Sequence, residues 1–486
     1  MNAPHGTNIA GAEQLGAASQ TVAQKVAQYV SGFHYEDIPQ ATRERAKLLV
    51  LDAVGIALAS TQYDFAHRIL TGLNALNEGG SASLIGLSGK LALRDAVLMN
   101  GVLVHGLDYD DTHIRAIIHA TASAFPCALG VAEAINAPGS ALLAAYVLGM
   151  ETAIRVSDAA GGHFHDFGFH PTGLAAHFSC ALQAGWLYGL TPRQLVMAQG
   201  LAGSTAAGSQ EFLEEGAWNK RVHPGWAGVA GITAAQLARA GFKGPTKPYE
   251  GRFGLFKSHL GKLEASVDYD AVHATLGSTW ELHNAAVKPY PICHLIHACA
   301  DSAVILRDKH SIAPSDIERV VALVPQPTLH IIAEPLANKL RPANEYDAKF
   351  STQFVVATCL VKGRFGLAEL LEDTLRDAEI LELAAKVECV ADPDASYPQY
   401  FSGGLEIHTR DGRTLRHHEK VNRGAGDRAL SAAEIERKYF DNASLAVGKS
   451  RAETICDAVL GLEQRSAAEF AQLLSGTSSF WRRSFS

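Results

Sequence analysis

The chain has 486 residues, 47 % of them hydrophobic and 19 % charged, with a formal net charge of -8. That length predicts two or more domains, and the apolar content excludes a disordered chain. The net negative charge, without a long Lys/Arg block, speaks against a nucleic-acid surface but not against an anionic substrate in a locally positive pocket.

The first 20 residues lack a basic segment followed by an apolar core and read as a short arm, not a signal peptide. From Thr21 to about Leu263 the pattern is helical. Thr42–Ser60, Leu91–Val104, Ser140–Ala153 and Trp226–Ala240 carry apolar residues at helical spacing, with Ser140 as a cap candidate. Thr191-Pro192 followed by Gln194 predicts a capped helix start. Several of these segments are apolar on every side, as buried helices are.

The character changes after about Leu276. Glu318–Pro325, Lys386–Val390 and Leu405–Arg410 read as strands, and Asp411-Gly412 predicts a hairpin into Arg413–His418. Helical runs at Ile296–Asp308 and Phe350–Leu360 lie among them. From Ser431, with Glu434 completing a capping box, the pattern is helical again. The expected fold class is mainly α: a large helical domain over 21–275 plus 425–470, a smaller α+β domain over 276–424, and flexible tails at 1–20 and 471–486.

Seven cysteines occur without a C-x-x-C pair, which fits core thiols in a reducing, cytoplasmic setting. No run of 18 apolar residues appears, so no membrane span is expected.

Four polar clusters interrupt the apolar pattern. His105-Gly-Leu-Asp108-Tyr-Asp110-Asp111-Thr112-His113, followed by His119, sits between two apolar helical stretches. It reads either as a capped loop or as a pocket hinge with a histidine in reach for proton transfer. A metal site is a further reading, although the order matches neither H-E-x-x-H nor an EF-hand. His163–Gly173 holds His170 before Pro171, at a predicted helix start where a histidine could meet an anion. Trp218–Gly225 packs Lys220, Arg221 and His223 into four positions, a basic knot suited to carboxylates or an exposed turn. Val287–His294 places Lys288, Tyr290 and Cys293 ahead of a helix; Cys293 could act as a nucleophile only with a nearby base, and a buried, inert thiol is the simpler reading. No dinucleotide loop, Walker loop or G-x-S-x-G elbow is present.

In this order, LLVLDAVGIALAS, HGLDYDDTH, FGFHPTG, WNKRVHPGWAG, EGRFGLF, VKPYPICHLIHA and AKFSTQF resemble the motifs of the MmgE/PrpD family, over about Thr21 to Gly461. That family includes 2-methylcitrate dehydratase, cis-aconitate decarboxylase and iminodisuccinate epimerase. The resemblance implies a large helical domain with a smaller α+β domain, a homodimer, a pocket between the domains, no organic cofactor and no metal. It implies catalytic roles for Asp108, His119, His170, Lys220 and Lys288 and pocket positions for Thr112, Cys293 and Phe354, while the basic knot and the fourth cluster add Arg221, His223 and Tyr290 as expected substrate contacts. Phe354 falls where decarboxylase-type members carry a pocket tyrosine, and Cys293 where some members have a histidine. The expected substrate is a small di- or tricarboxylate, and the expected reaction is dehydration by proton abstraction beside a carboxylate. Decarboxylation, epimerisation and non-catalytic acid binding are the alternatives.

Overall fold

The structure, a computed structural model, describes residues 20–76 and 78–476. The arm expected over 1–20 lies outside the described residues except for its last position, as does the tail from 477.

Helices that are apolar all round must be covered on every side. Here Gln40–Ser60, Leu93–His105, Thr121–Ala134, Gly139–Asp158, Pro171–Leu187 and His223–Arg239 cover one another in a single core. Small residues set their distances. A Cβ on Gly101 would stand 2.4 Å from the Cα of Gly225, and one on Gly225 would stand 2.5 Å from the carbonyl oxygen of Leu98. Backbone-to-backbone contact therefore joins Leu93–His105 to His223–Arg239. The turn that follows the first helix is thereby brought beside the segment that precedes the second. The C-terminal helices Ala432–Ala443, Lys449–Leu460 and Ala467–Leu474 return to this core.

A second core forms around a four-stranded sheet. Its strand order is Val387–Ala391, Ile317–Val324, Gly403–Thr409, Thr414–Glu419. The first pair is parallel and the other two are antiparallel. The hairpin turns at Gly412, whose φ of +85° favours glycine. Helices His297–His310 and Thr352–Lys362 pack on this sheet and on each other.

Two capping boxes form as read, at Thr191 with Gln194 and at Ser431 with Glu434. Two local expectations change. Ser140 is not a cap: the helix begins at Gly139 behind Pro138, because the Gly139 amide donates to the carbonyl of Arg465 at 2.7 Å and no Cβ would fit against Leu462. Residues 471–476, expected to be loose, finish a helix that buries Ala471 and Leu474, and the Gly476 amide bonds the carbonyl of Leu87.

Thr112–His113 and Ala285–Ala286 pair as a two-residue antiparallel ribbon, which periodicity is too short to signal. It ties the acidic motif to the approach of Lys288. Among the described residues one helix, Gly139–Asp158, is by itself long and apolar enough to cross a membrane by length and composition alone, but it lies buried in the core and carries the Glu151–Arg155 ion pair.

Because the helix contact at Gly225 leaves no room for a methyl group, Gly225→Ala forces the two helices apart. A loss of roughly 1–3 kcal/mol is expected in urea unfolding. An unchanged midpoint would mean that the contact is not the fixed spacer described here.

Candidate active site

Helix Leu93–His105 ends in a turn whose carbonyls have no helical partners. Four successive ones are met by buried cations from distant parts of the chain. Gly106 accepts from Arg221 Nε at 2.8 Å, Leu107 from Lys349 Nζ at 2.7 Å, Asp108 from Lys288 Nζ at 2.9 Å and Tyr109 from Lys438 Nζ at 2.9 Å. Cations are favourable at a helix C-terminus, where the backbone dipole is negative. Held in this way, Asp108 takes a left-handed conformation with φ +51°, uncommon for a residue other than glycine.

The Asp108 side chain completes the arrangement. Its Oδ1 accepts from Lys220 Nζ and Lys288 Nζ, both at 2.9 Å. Burial would raise its carboxyl pKa, but the two ammonium groups, aided by His119 and His105, hold it well below the usual range. The carboxylate therefore stays charged, and its Oδ2 has no partner among the described residues.

These groups form the floor of a cavity between the two cores. Together with its mouth, the cavity holds about 660 Å³, within the range of small-molecule sites. Asp108, Thr112, His119, His170, Lys220, Lys288 and Cys293 all line it. So do apolar side chains that sequence reasoning did not single out, among them Phe212, Leu295, Phe350 and Phe401, and the polar His165, Gln210 and His294. They come from loops and helices of one turn, too short to carry a periodic signal, so only tertiary packing gathers them.

Hydrogen-bond partners settle the histidine tautomers. His119 Nδ1 lies 3.1 Å from the carbonyl of Asp111, which can only accept, so Nδ1 carries hydrogen and Nε2 carries the lone pair. Thr112 Oγ1 is 3.2 Å from the same nitrogen, and Thr172 Oγ1 accepts from the His119 amide. His165 Nδ1 accepts from the Gln210 amide nitrogen, which also donates to Phe169, so His165 Nε2 is a donor. His294 Nε2 accepts from Asn422 Nδ2, because Asn422 Oδ1 is taken by the Phe401 amide.

Burial drives the cavity histidines towards the neutral form. It is the largest cause of the depressed pKa of His119 and His170, and Lys220 depresses both further. His165 is pushed down to about 4 by burial and then by Lys220. Burial followed by the Asp108 charge raises the Cys293 thiol, which removes a thiolate nucleophile.

Four residues expected to contact substrate stand outside the lining. Arg221 is fully buried behind it, stacked on Phe65 and Tyr346 and paired with Glu345 at 2.6 Å. His223 lies behind His170, Nδ1 to Nδ1 at 3.1 Å. The Tyr290 hydroxyl donates to Asp301 at 2.6 Å. Phe354 points into the second core against Phe365, whereas Phe350, in the break between helices Glu345–Lys349 and Thr352–Lys362, reaches the cavity.

Two groups have donor types that could hold a metal: His105 with His119 and His170, and Asp108 with Asp110 and His119, the ligand atoms of each group within 4.8 Å of one another. Their setting suits an anion better. Lys220 and Lys288 both stand on Asp108, so a dication would enter against two ammonium charges.

A chain with this two-core architecture and this site matches the MmgE/PrpD N-terminal domain over residues 24–268 and the MmgE/PrpD C-terminal domain over residues 290–464. It belongs to the MmgE/PrpD family. Among curated relatives, it is 25 % identical to a cis-aconitate decarboxylase of Aspergillus terreus, over 92 % of this chain and 94 % of that protein. It is 25 % identical to the human cis-aconitate decarboxylase, over 94 % and 95 %. The cis-aconitate decarboxylase-like protein oryM of Aspergillus oryzae is 24 % identical, over 94 % and 97 %.

Asp111 gives a pH-dependent prediction. Burial raises its carboxyl to about 7; the Thr121 hydrogen bond opposes this, and Asp110 and Asp52 add to it. A folded-state pKa above the unfolded one means that stability is lost as pH rises through about 7. Asp111→Asn removes the ionising group, so it should raise the melting temperature more at pH 8 than at pH 5. A gain of ~1–2 kcal/mol at the higher pH is expected. Equal effects at both pH values would contradict the assignment.

Proposed function

We propose that this protein is a decarboxylase of a small unsaturated tricarboxylate of the cis-aconitate type. The observation that carries the reading is the pair of lysines sharing one aspartate on the cavity floor, beside His119 and His170. The curated relatives that are cis-aconitate decarboxylases support it over the dehydration expected from the sequence.

Lys220 and Lys288 carry two positive charges against the single negative charge of Asp108. A substrate carboxylate at their ammonium groups balances the excess and draws electron density away from the adjoining double bond. A second carboxylate lies against the apolar lining of Phe350 and Phe401, where loss of water favours departure of neutral CO2. One carbon–carbon bond breaks, its electron pair moves into the allylic system, and one proton is taken up on carbon. His119 supplies that proton from Nε2, since its Nδ1 is committed to Asp111. The bound anion favours the charged imidazole needed for this.

A homodimer is part of the proposal. Trp226 and Leu237 lie on helix His223–Arg239 and are 50 % and 41 % exposed. They are three turns apart and so share one face.

Cis-aconitate incubated with the protein in D2O should give itaconate carrying one carbon-bound deuterium, read by proton NMR, and EDTA should not change the rate. Lys220→Ala should lower kcat/KM by at least 10²-fold, with the fold intact by circular dichroism. An alkene formed from 2-methylcitrate, with cis-aconitate untouched, would return the reading to dehydration. Exchange without loss of CO2 would point to epimerisation.

A further inference from the structure

Behind the cavity lies a carboxylate that the reaction just described does not use. Asp110 is buried beside the cavity floor, and its Oδ2 stands between two imidazole rings: His105 Nδ1 at 2.9 Å and His119 Nδ1 at 3.7 Å. His105 does not line the cavity. Its ring lies 4.8 Å from that of His119 and stacks at 5.6 Å on that of His170. A carboxylate only accepts hydrogen bonds, so His105 Nδ1 donates to it, while His119 Nδ1, its hydrogen on the Asp111 carbonyl, stands at ion-pair distance from the same oxygen.

We propose that Asp110, held in place by His105, is the positioning residue that stabilises the charged form of His119 during proton transfer. The proposal rests on the reading of His119 as the proton carrier. Whichever way the proton moves, His119 is an imidazolium at one end of the step, and Asp110 is the anion that faces it. The logic is that of a carboxylate that orients a catalytic imidazole and steadies its charge.

The surrounding charges make this role specific. Lys220, Lys288 and His105 all disfavour a positive charge on His119, as does burial, and Asp110 favours it. Asp108 is already committed to the two lysines. Asp111 offers His119 its backbone carbonyl, and its carboxyl is raised to about 7 by burial. His170 faces His119 at 5.7 Å, backed by His223, and burial keeps both neutral. Asp110 itself stays ionised: burial would raise its pKa, but its interactions with His105 and His119 and the His105 hydrogen bond outweigh this. Its second oxygen has no partner among the described residues, so His105 is the side chain that fixes its orientation.

The test uses the full-length protein and two independent readouts. In the first, Asp110→Asn should lower kcat on the order of 10²-fold, with KM changed less than about threefold, and should move the alkaline fall of kcat to lower pH. The direction follows from the charge: without the anion, the imidazolium loses its proton more easily. His105→Leu should do the same, and His105→Gln, whose amide can still donate to Asp110, should recover much of the rate. In the second, histidine-labelled protein is titrated by NMR without substrate, and the His119 ring should deprotonate at lower pH in Asp110→Asn than in the unaltered protein. A shifted titration in a protein that turns over none of the acids tested would support the Asp110 role while removing the decarboxylase reading. An unshifted titration would overturn the proposal, as would an Asp110→Asn enzyme with an unaltered pH profile. If Asp110→Asn fails to fold, the His105 pair decides: equal loss in Leu and Gln overturns the positioning role.

Discussion

The site depends on one turn. Four consecutive carbonyls, from Gly106 to Tyr109, each accept a hydrogen bond from a different buried cation. The cations come from sequence positions far apart: Arg221 and Lys438 belong to elements of the helical core, Lys288 to the segment that joins the cores, and Lys349 to the second core's side of the cavity. Asp108 sits at positive φ in a turn where its amide also bonds the His105 carbonyl. The left-handed turn presents its carboxylate to Lys220 and Lys288 together. The two cores must therefore dock before the site exists.

The same arrangement sets the chemistry. Burying two ammonium groups on one carboxylate is costly unless an anion completes the balance. The two ammonium groups of the floor outnumber the one carboxylate they share, which suits an anionic ligand. The lysines and burial also keep the neighbouring histidines neutral, so they add nothing to the standing charge. A floor of fixed charge under walls of phenylalanine and leucine gives polar anchoring and a dry reaction space in one cavity.

Much of this was legible in the sequence, for physical reasons. The helical core announced itself because apolar faces repeat at 3.6 residues, and the strands Ile317–Val324 and Gly403–Thr409 because of their β-branched and alternating content. Asp108, His119, Lys220 and Lys288 stood out because charges inside apolar stretches need a reason. What could not be read was which way those side chains turn. Arg221 and Lys220 are adjacent, yet Lys220 faces the cavity and Arg221 faces Glu345. Phe350 stands in the break before helix Thr352–Lys362, which holds Phe354, and of the two only Phe350 reaches the cavity. Asp110 sat within the acidic motif without a distinguishable role, because its partners His105 and His119 meet only when the turn closes.

The most direct test of this account is the crystal structure of the protein bound to tricarballylate, the saturated analogue of the aconitate skeleton. The account predicts one carboxylate within hydrogen-bond reach of both Lys220 and Lys288, with a carbon of the ligand facing His119 Nε2 and Asp108 still at positive φ. A ligand bound elsewhere, or a turn that releases its four cations when the acid binds, would contradict it.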